Sequence, residues 1–127
     1  GDQVVALPIE TVEFKGQKTT IGNKLEWKTV SENQSDYFTI EKTTDGQTFE
    51  VVGKVDGAGN SLKPISYEFS DYEICENICY YRLNQVDLDG TESLSKKVSI
   101  KASDLKVSDL KKINHKEKWN WFRIIYS

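Results

Sequence analysis

Apolar and polar residues alternate along most of this chain. "IGNKLEWKTV" puts Ile21, Leu25 and Trp27 on one side of an extended backbone and Lys24, Glu26 and Lys28 on the other. "DYFTIEK" repeats the pattern with Phe38 and Ile40 against Thr39 and Glu41. "TFEVVGKV" does so with Phe49, Val51 and Val55, "PISYEFSD" with Ile65, Tyr67 and Phe69, and "SLSKKVSIK" with Leu94, Val98 and Ile100. A helix turns 100° per residue and cannot hold such alternate positions on one face, whereas a strand does so by construction. The runs are rich in β-branched and aromatic residues, which suit a pleated, half-buried surface.

Turn signals punctuate the runs. Asp45-Gly46 and Asp89-Gly90 predict hairpins of the type I′ kind, in which both central residues take positive φ. "SENQSD" (Ser31–Asp36) reads as a polar loop, and Gly57, Gly59 and Asn60 as a wider one. The predicted strands are residues 4–15, 19–30, 36–43, 48–55, 64–70, 78–88 and 92–101. Seven short strands with closely spaced turns predict an all-β fold, a seven-stranded antiparallel β-sandwich. Two strands change parity along their length. Val5, Leu7 and Ile9 give way to Val12 and Phe14, and Tyr81 and Leu83 give way to Val86 and Leu88. Each change predicts a bulge in that strand. Pro8 cannot donate to a ladder and places the first strand at an edge.

A length of 127 residues fits one domain, with room for a core without metals. No apolar run approaches the ~20 residues of a membrane-spanning helix. The segment "GDQVVALPIE" lacks the basic and apolar regions of a signal peptide, so none is expected in this sequence. Charge is divided: residues 1–101 hold 11 Lys/Arg against 17 Asp/Glu, and residues 102–127 hold 6 against 3. An acidic body repels phosphate backbones, so nucleic acid is not an expected partner. Two cysteines and one histidine, His115, fall short of the four ligands of a structural zinc site. No cofactor is expected.

The motifs "LPIETVEF", "LEWKTVSENQSDYFTIEKTTDGQTFEVVGKVDGAGNS", "YEFSD" and "YYRLNQVDLDGTESLSKKVSI" occur in an order that resembles a fibronectin type III-like module. Such modules are found in many secreted proteins of Bacteroidetes-type bacteria. The resemblance covers residues 7 to about 101. It implies an immunoglobulin-like sandwich that acts as a spacer or appended module near a C-terminal secretion-sorting domain, without catalytic residues. A secreted or cell-surface location follows from it. The chain departs from the pattern at "EICENIC", where the family has a hydrophilic loop, and after residue 101. Residues 1–101 are therefore read as the sandwich and 102–127 as a C-terminal extension. In that extension Leu105, Leu110 and Ile113 form a weak helical stripe, and "WNWFRIIY" could form a strand.

Candidate sites are few. Trp27, in phase with Leu25, is expected in the core between sheets, where these modules carry a tryptophan. Tyr81 shares the phase of Leu83 and fits a tyrosine corner, its hydroxyl bonding back to upstream backbone. Asp87, Asp89 and Glu92 resemble part of a calcium loop but lack the remaining ligands, and a hairpin turn explains them. No Ser or Cys has a histidine nearby in sequence, so no nucleophile–base pair is expected and the chain does not read as an enzyme. Trp119, Trp121 and Tyr126 are candidate aromatics for carbohydrate or protein binding at a cell surface; the alternative is that they pack on the body or across a homodimer. Cys75 and Cys79 lie four apart, close enough for a disulfide in a folded-back loop or a helical turn. The alternative is two reduced thiols, one facing the core.

Overall fold

A computed structural model describes residues 11–106 and residue 108. Two antiparallel sheets face each other. One holds β1 (Thr11–Lys18), β2 (Asn23–Thr29) and β5 (Ile65–Asp71), in the order β1-β2-β5. The other holds β3 (Glu32–Thr43), β4 (Glu50–Ser61), β6 (Ile78–Asp87), β7 (Glu92–Leu94) and β8 (Val98–Lys101). Its order is β4-β3-β6-β7, with β8 also paired to β6. The chain is thus a β-sandwich, with eight strands where seven were expected. The eighth arises because the predicted 92–101 strand breaks. From Asn84 to Tyr81, β6 advances three residues while its partner advances four, from Leu94 to Val98. The extra residue is accommodated around Ser95, whose Oγ accepts the Leu83 N–H at 2.8 Å.

The core is an aromatic row across one sheet facing a mixed layer of aliphatic and aromatic residues of the other. Phe14, Trp27 and Tyr67 are in register on β1, β2 and β5. Trp27 is 2 % exposed; it stacks on Tyr67 at 5.6 Å and meets Phe38 of β3 edge-on at 5.6 Å. Ile40, Cys79, Tyr81, Leu83 and Ile100 complete the layer from the second sheet, and Leu25 from the first. Offset and edge-on ring pairs of this kind add to the hydrophobic gain of burying large side chains.

Bulges redirect several residues from where simple alternation put them. The shift predicted for the first strand lies between Thr11 and Glu13. The one predicted for the sixth strand is not in that strand. The extra residue there belongs to β3, between Ser35 and Tyr37, and Leu88 faces solvent beyond the end of β6. A shift opposite Ile40/Glu41 turns Val51 outward, while Val52 and Val55 pack on the core. Ile21 is 68 % exposed because residues 19–22 form a turn, with Thr19 N–H bonded to the Gly22 carbonyl at 2.8 Å. Leu94, expected in the core, lies beyond the break before β8 and is exposed.

Both predicted hairpin turns differ from type I′. Gly46 (φ 81°) and Gly90 (φ 89°) have positive φ, but Asp45 and Asp89 do not. At the second, Gly90 N–H bonds the Asp87 carbonyl at 2.8 Å and Asp87 N–H bonds the Thr91 carbonyl at 2.9 Å. That is the longer hairpin loop, in which a left-handed glycine follows the turn. At the first, the Asp45 carboxylate accepts N–H groups of Gln47 and Thr48 and the Thr43 hydroxyl, each at 2.8 Å. These bonds, the Thr48 and Gln47 N–H groups first, lower the Asp45 pKa to about 2. "SENQSD" and "GAGNS", expected as loops, lie largely within β3 and β4, whose long partnership keeps them paired.

Candidate functional site

Two clusters of buried polar side chains sit at opposite ends of the sandwich. At one end, cross-strand register sets Asn23 against Asp71 in the first sheet and Lys42 against Tyr81 in the second. The four side chains meet between the sheets. Lys42 Nζ lies 2.8 Å from Asp71 Oδ2, with both side chains under 10 % exposed. The Tyr81 hydroxyl donates to the same oxygen at 2.6 Å and accepts from Asn23 Nδ2 at 3.0 Å. Glu73 N–H donates to the other oxygen at 3.1 Å. Burial works against the Asp71 charge, but the bonds from Lys42, Tyr81 and the Glu73 N–H outweigh it and hold the pKa below its ordinary value. Burial first, and then the bond to Asp71, raises the Tyr81 pKa well above the usual phenol range. Tyr81 therefore does not make the expected bond to upstream backbone. A carboxylate is the stronger acceptor, and the hydroxyl's proton goes to Asp71 instead.

At the other end Glu32 is 5 % exposed. Its carboxylate accepts the Thr29 hydroxyl and the Ala58 N–H, each at 3.0 Å, and the Tyr67 hydroxyl. Burial raises its pKa, but the bonds from Tyr67, Ala58, Ser35 and Thr29 together leave it lowered. Tyr67 is correspondingly raised, by burial and by the Glu32 charge. Both carboxylates are thus surrounded by donors from the fold itself. They close the ends of the core and leave little basicity for proton abstraction.

The outer face of the second sheet carries the third polar group. Arg82 Nε bonds Glu41 at 2.7 Å, and its guanidinium lies 3.7 Å over the Phe49 ring. Phe49, expected in the core, is on this outer face. A shallow groove beside it is lined by Glu41, Arg82, Asn84, Glu92, Leu94 and the Asp89–Thr91 turn. Of the calcium candidates, Glu92 accepts Asn84 Nδ2 at 2.7 Å and Asp89 accepts the Thr91 N–H at 2.9 Å. Among the described residues no three His, Cys, Asp or Glu side chains are grouped to hold a metal.

Cys75 and Cys79 form a disulfide, with Cα atoms 6.1 Å apart. The loop between them bends without helix, and the Asn77 carbonyl accepts the Ala102 N–H at 2.9 Å. The bridge therefore sits where the chain leaves β8. Trp119, Trp121 and Tyr126 lie outside the described residues. Among the described residues no helix is long and apolar enough to cross a membrane.

Sequence reasoning missed both polar clusters. The signal was present for the first: Asn23 has the parity of Leu25 and Trp27, Lys42 that of Phe38 and Ile40, and Asp71 that of Tyr67 and Phe69. A polar residue in the inward phase of a strand marks a buried partner somewhere in the fold. Glu32 also has the parity of Phe38 and Ile40, but residues 31–36 read as a loop and two register shifts separate it from them, so the signal was not usable.

No protein-family model matches the sequence, and no curated protein matches it. Solved structures do resemble it. Pectate lyase Pel3 from Pectobacterium carotovorum aligns with 68 % of this chain at 15 % identity and a TM-score of 0.55, over 25 % of its own length. A beta-1,2-glucanase from Parabacteroides distasonis aligns with 84 % at 21 % identity and a TM-score of 0.53, over 14 % of its length. Domains A168–A170 from titin align with 79 % at 14 % identity and a TM-score of 0.53, over 33 % of that chain. Identities this low show the shared sandwich fold alone, and the chain spans at most a third of these proteins.

Proposed function

We propose that the chain is a non-catalytic structural module, a fibronectin type III-like spacer of a secreted or cell-surface bacterial protein. The observation that carries this reading is the use of the buried ionisable groups. Asp71 with Lys42 at one end, and Glu32 at the other, are bonded inward to close the core. A module of this kind needs a fixed shape more than a cleft. The Cys75–Cys79 bridge suits an oxidising compartment. The structural neighbours support the reading too, since the same fold occupies a domain-sized part of longer chains.

A glycan array probed with the intact chain, together with a panel of polysaccharide substrates, tests it. The spacer reading expects signals at background and no turnover. Saturable binding to one glycan class, lost on Trp119→Ala or Trp121→Ala, would replace it with a carbohydrate-binding module.

A further inference from the structure

Three large apolar side chains stand in solvent at the disulfide end. Ile21 is 68 %, Tyr72 66 % and Ile74 65 % exposed. Gly22, next to Ile21, lies against the backbone of Asp71 and Tyr72, and Ile74 is two residues beyond Tyr72. Large apolar side chains gain from leaving water, so three exposed at one end favour a cover.

We propose that the cover is the chain's own segment 109–127. The chain leaves β8 at this end, where Ala102 N–H is tied to the Asn77 carbonyl of the disulfide loop. Nineteen residues follow Ser108, and they hold Trp119, Trp121, Phe122, Ile124, Ile125 and Tyr126. An extended chain spans roughly 3.3–3.6 Å per residue, so a short stretch returns to the face. Charge agrees with apolar content. The segment carries five Lys/Arg against two Asp/Glu, and the exposed Glu73 and Glu76 flank Ile74. The opposite end also exposes apolar side chains, Leu62 among them, but no chain leaves β8 there. Docking makes the segment's aromatics part of the module and removes them as a ligand platform. It does not rest on the spacer reading.

Tryptophan fluorescence of the intact chain tests it, because Trp27 is shielded in the core and acrylamide reports mainly on Trp119 and Trp121. Docking predicts emission at shorter wavelength than free tryptophan and quenching several-fold weaker. Ile74→Asp combined with Tyr72→Ser, both at exposed positions, shifts the emission to longer wavelength and restores quenching, while Leu62→Asp at the other end changes neither. Light scattering is expected to give a monomer. Free-tryptophan emission in the parent chain, indifference to the Ile74/Tyr72 variant, or a dimer whose emission shift disappears on dilution would each overturn the proposal.

Discussion

Lys42 and Asp71 illustrate what one residue can decide in this fold. Each has lost most of its water and is held by the other; Tyr81 bonds Asp71, and its ring centre lies 5.9 Å from Lys42 Nζ. A buried pair gains little over a well-packed apolar pair, but breaking one strands a charge. Lys42→Ala is therefore expected to lower stability by about 3–5 kcal/mol, read from urea unfolding. Lys42→Met with Asp71→Leu is expected to recover part of that loss, since neither charge is then stranded. A loss below ~1 kcal/mol for Lys42→Ala would place the pair with exposed ion pairs, which contribute that little.

At the scale of elements, alternation revealed most of the strands and the centre of the core. Leu25, Trp27, Phe38, Ile40, Leu83 and Ile100 are buried where their parity put them. The errors cluster where one extra residue enters a ladder. Val51, Leu88 and Leu94 lie beside or beyond such shifts, because a shift of one residue exchanges the two faces of a strand. Alternation reports phase within a run but does not mark which residue is the extra one. The polar clusters were half legible for a related reason: parity points Asn23, Lys42 and Asp71 inward, but their pairing depends on how the two sheets are set together. Gly53 tests that setting. A Cβ at Gly53 would run into the Phe69 ring of the facing sheet. Gly53→Ala is expected to cost about 1–3 kcal/mol in urea melts, as overpacking does; no change would mean that β4 and β5 are further apart. The disulfide closes only a five-residue ring, so Cys75→Ser with Cys79→Ser is expected to cost about 2 kcal/mol. The parent is expected to resist alkylation when denatured without reductant; uptake of two alkyl groups would show the bridge absent.

For the whole molecule, the two buried clusters contribute to how stability depends on pH, alongside the exposed Asp45, whose pKa is also lowered. A carboxylate whose pKa is lower folded than unfolded stabilises the fold above its unfolded pKa. That contribution is lost as the pH falls through the folded value. Asp71 and Glu32 are both of this kind. Tyr67 and Tyr81 are raised, so their contribution is complete below about pH 10 and declines above it. The urea midpoint is expected to be level near neutrality, to fall as the pH drops below about 4, and to fall again above about 10. Asp71→Asn and Glu32→Gln should each flatten the acid limb; an unchanged limb would show that other groups set it. A module proposed to act as a spacer must also keep its length under load, and pulling tests this most directly. Copies of the chain linked in series and pulled singly are expected to unfold one at a time, in all-or-none steps. With residues 11–106 folded, each step releases about 30 nm at roughly 3.3–3.6 Å per residue. Smooth extension at low force, or steps of well under that length, would contradict a sandwich locked at both ends.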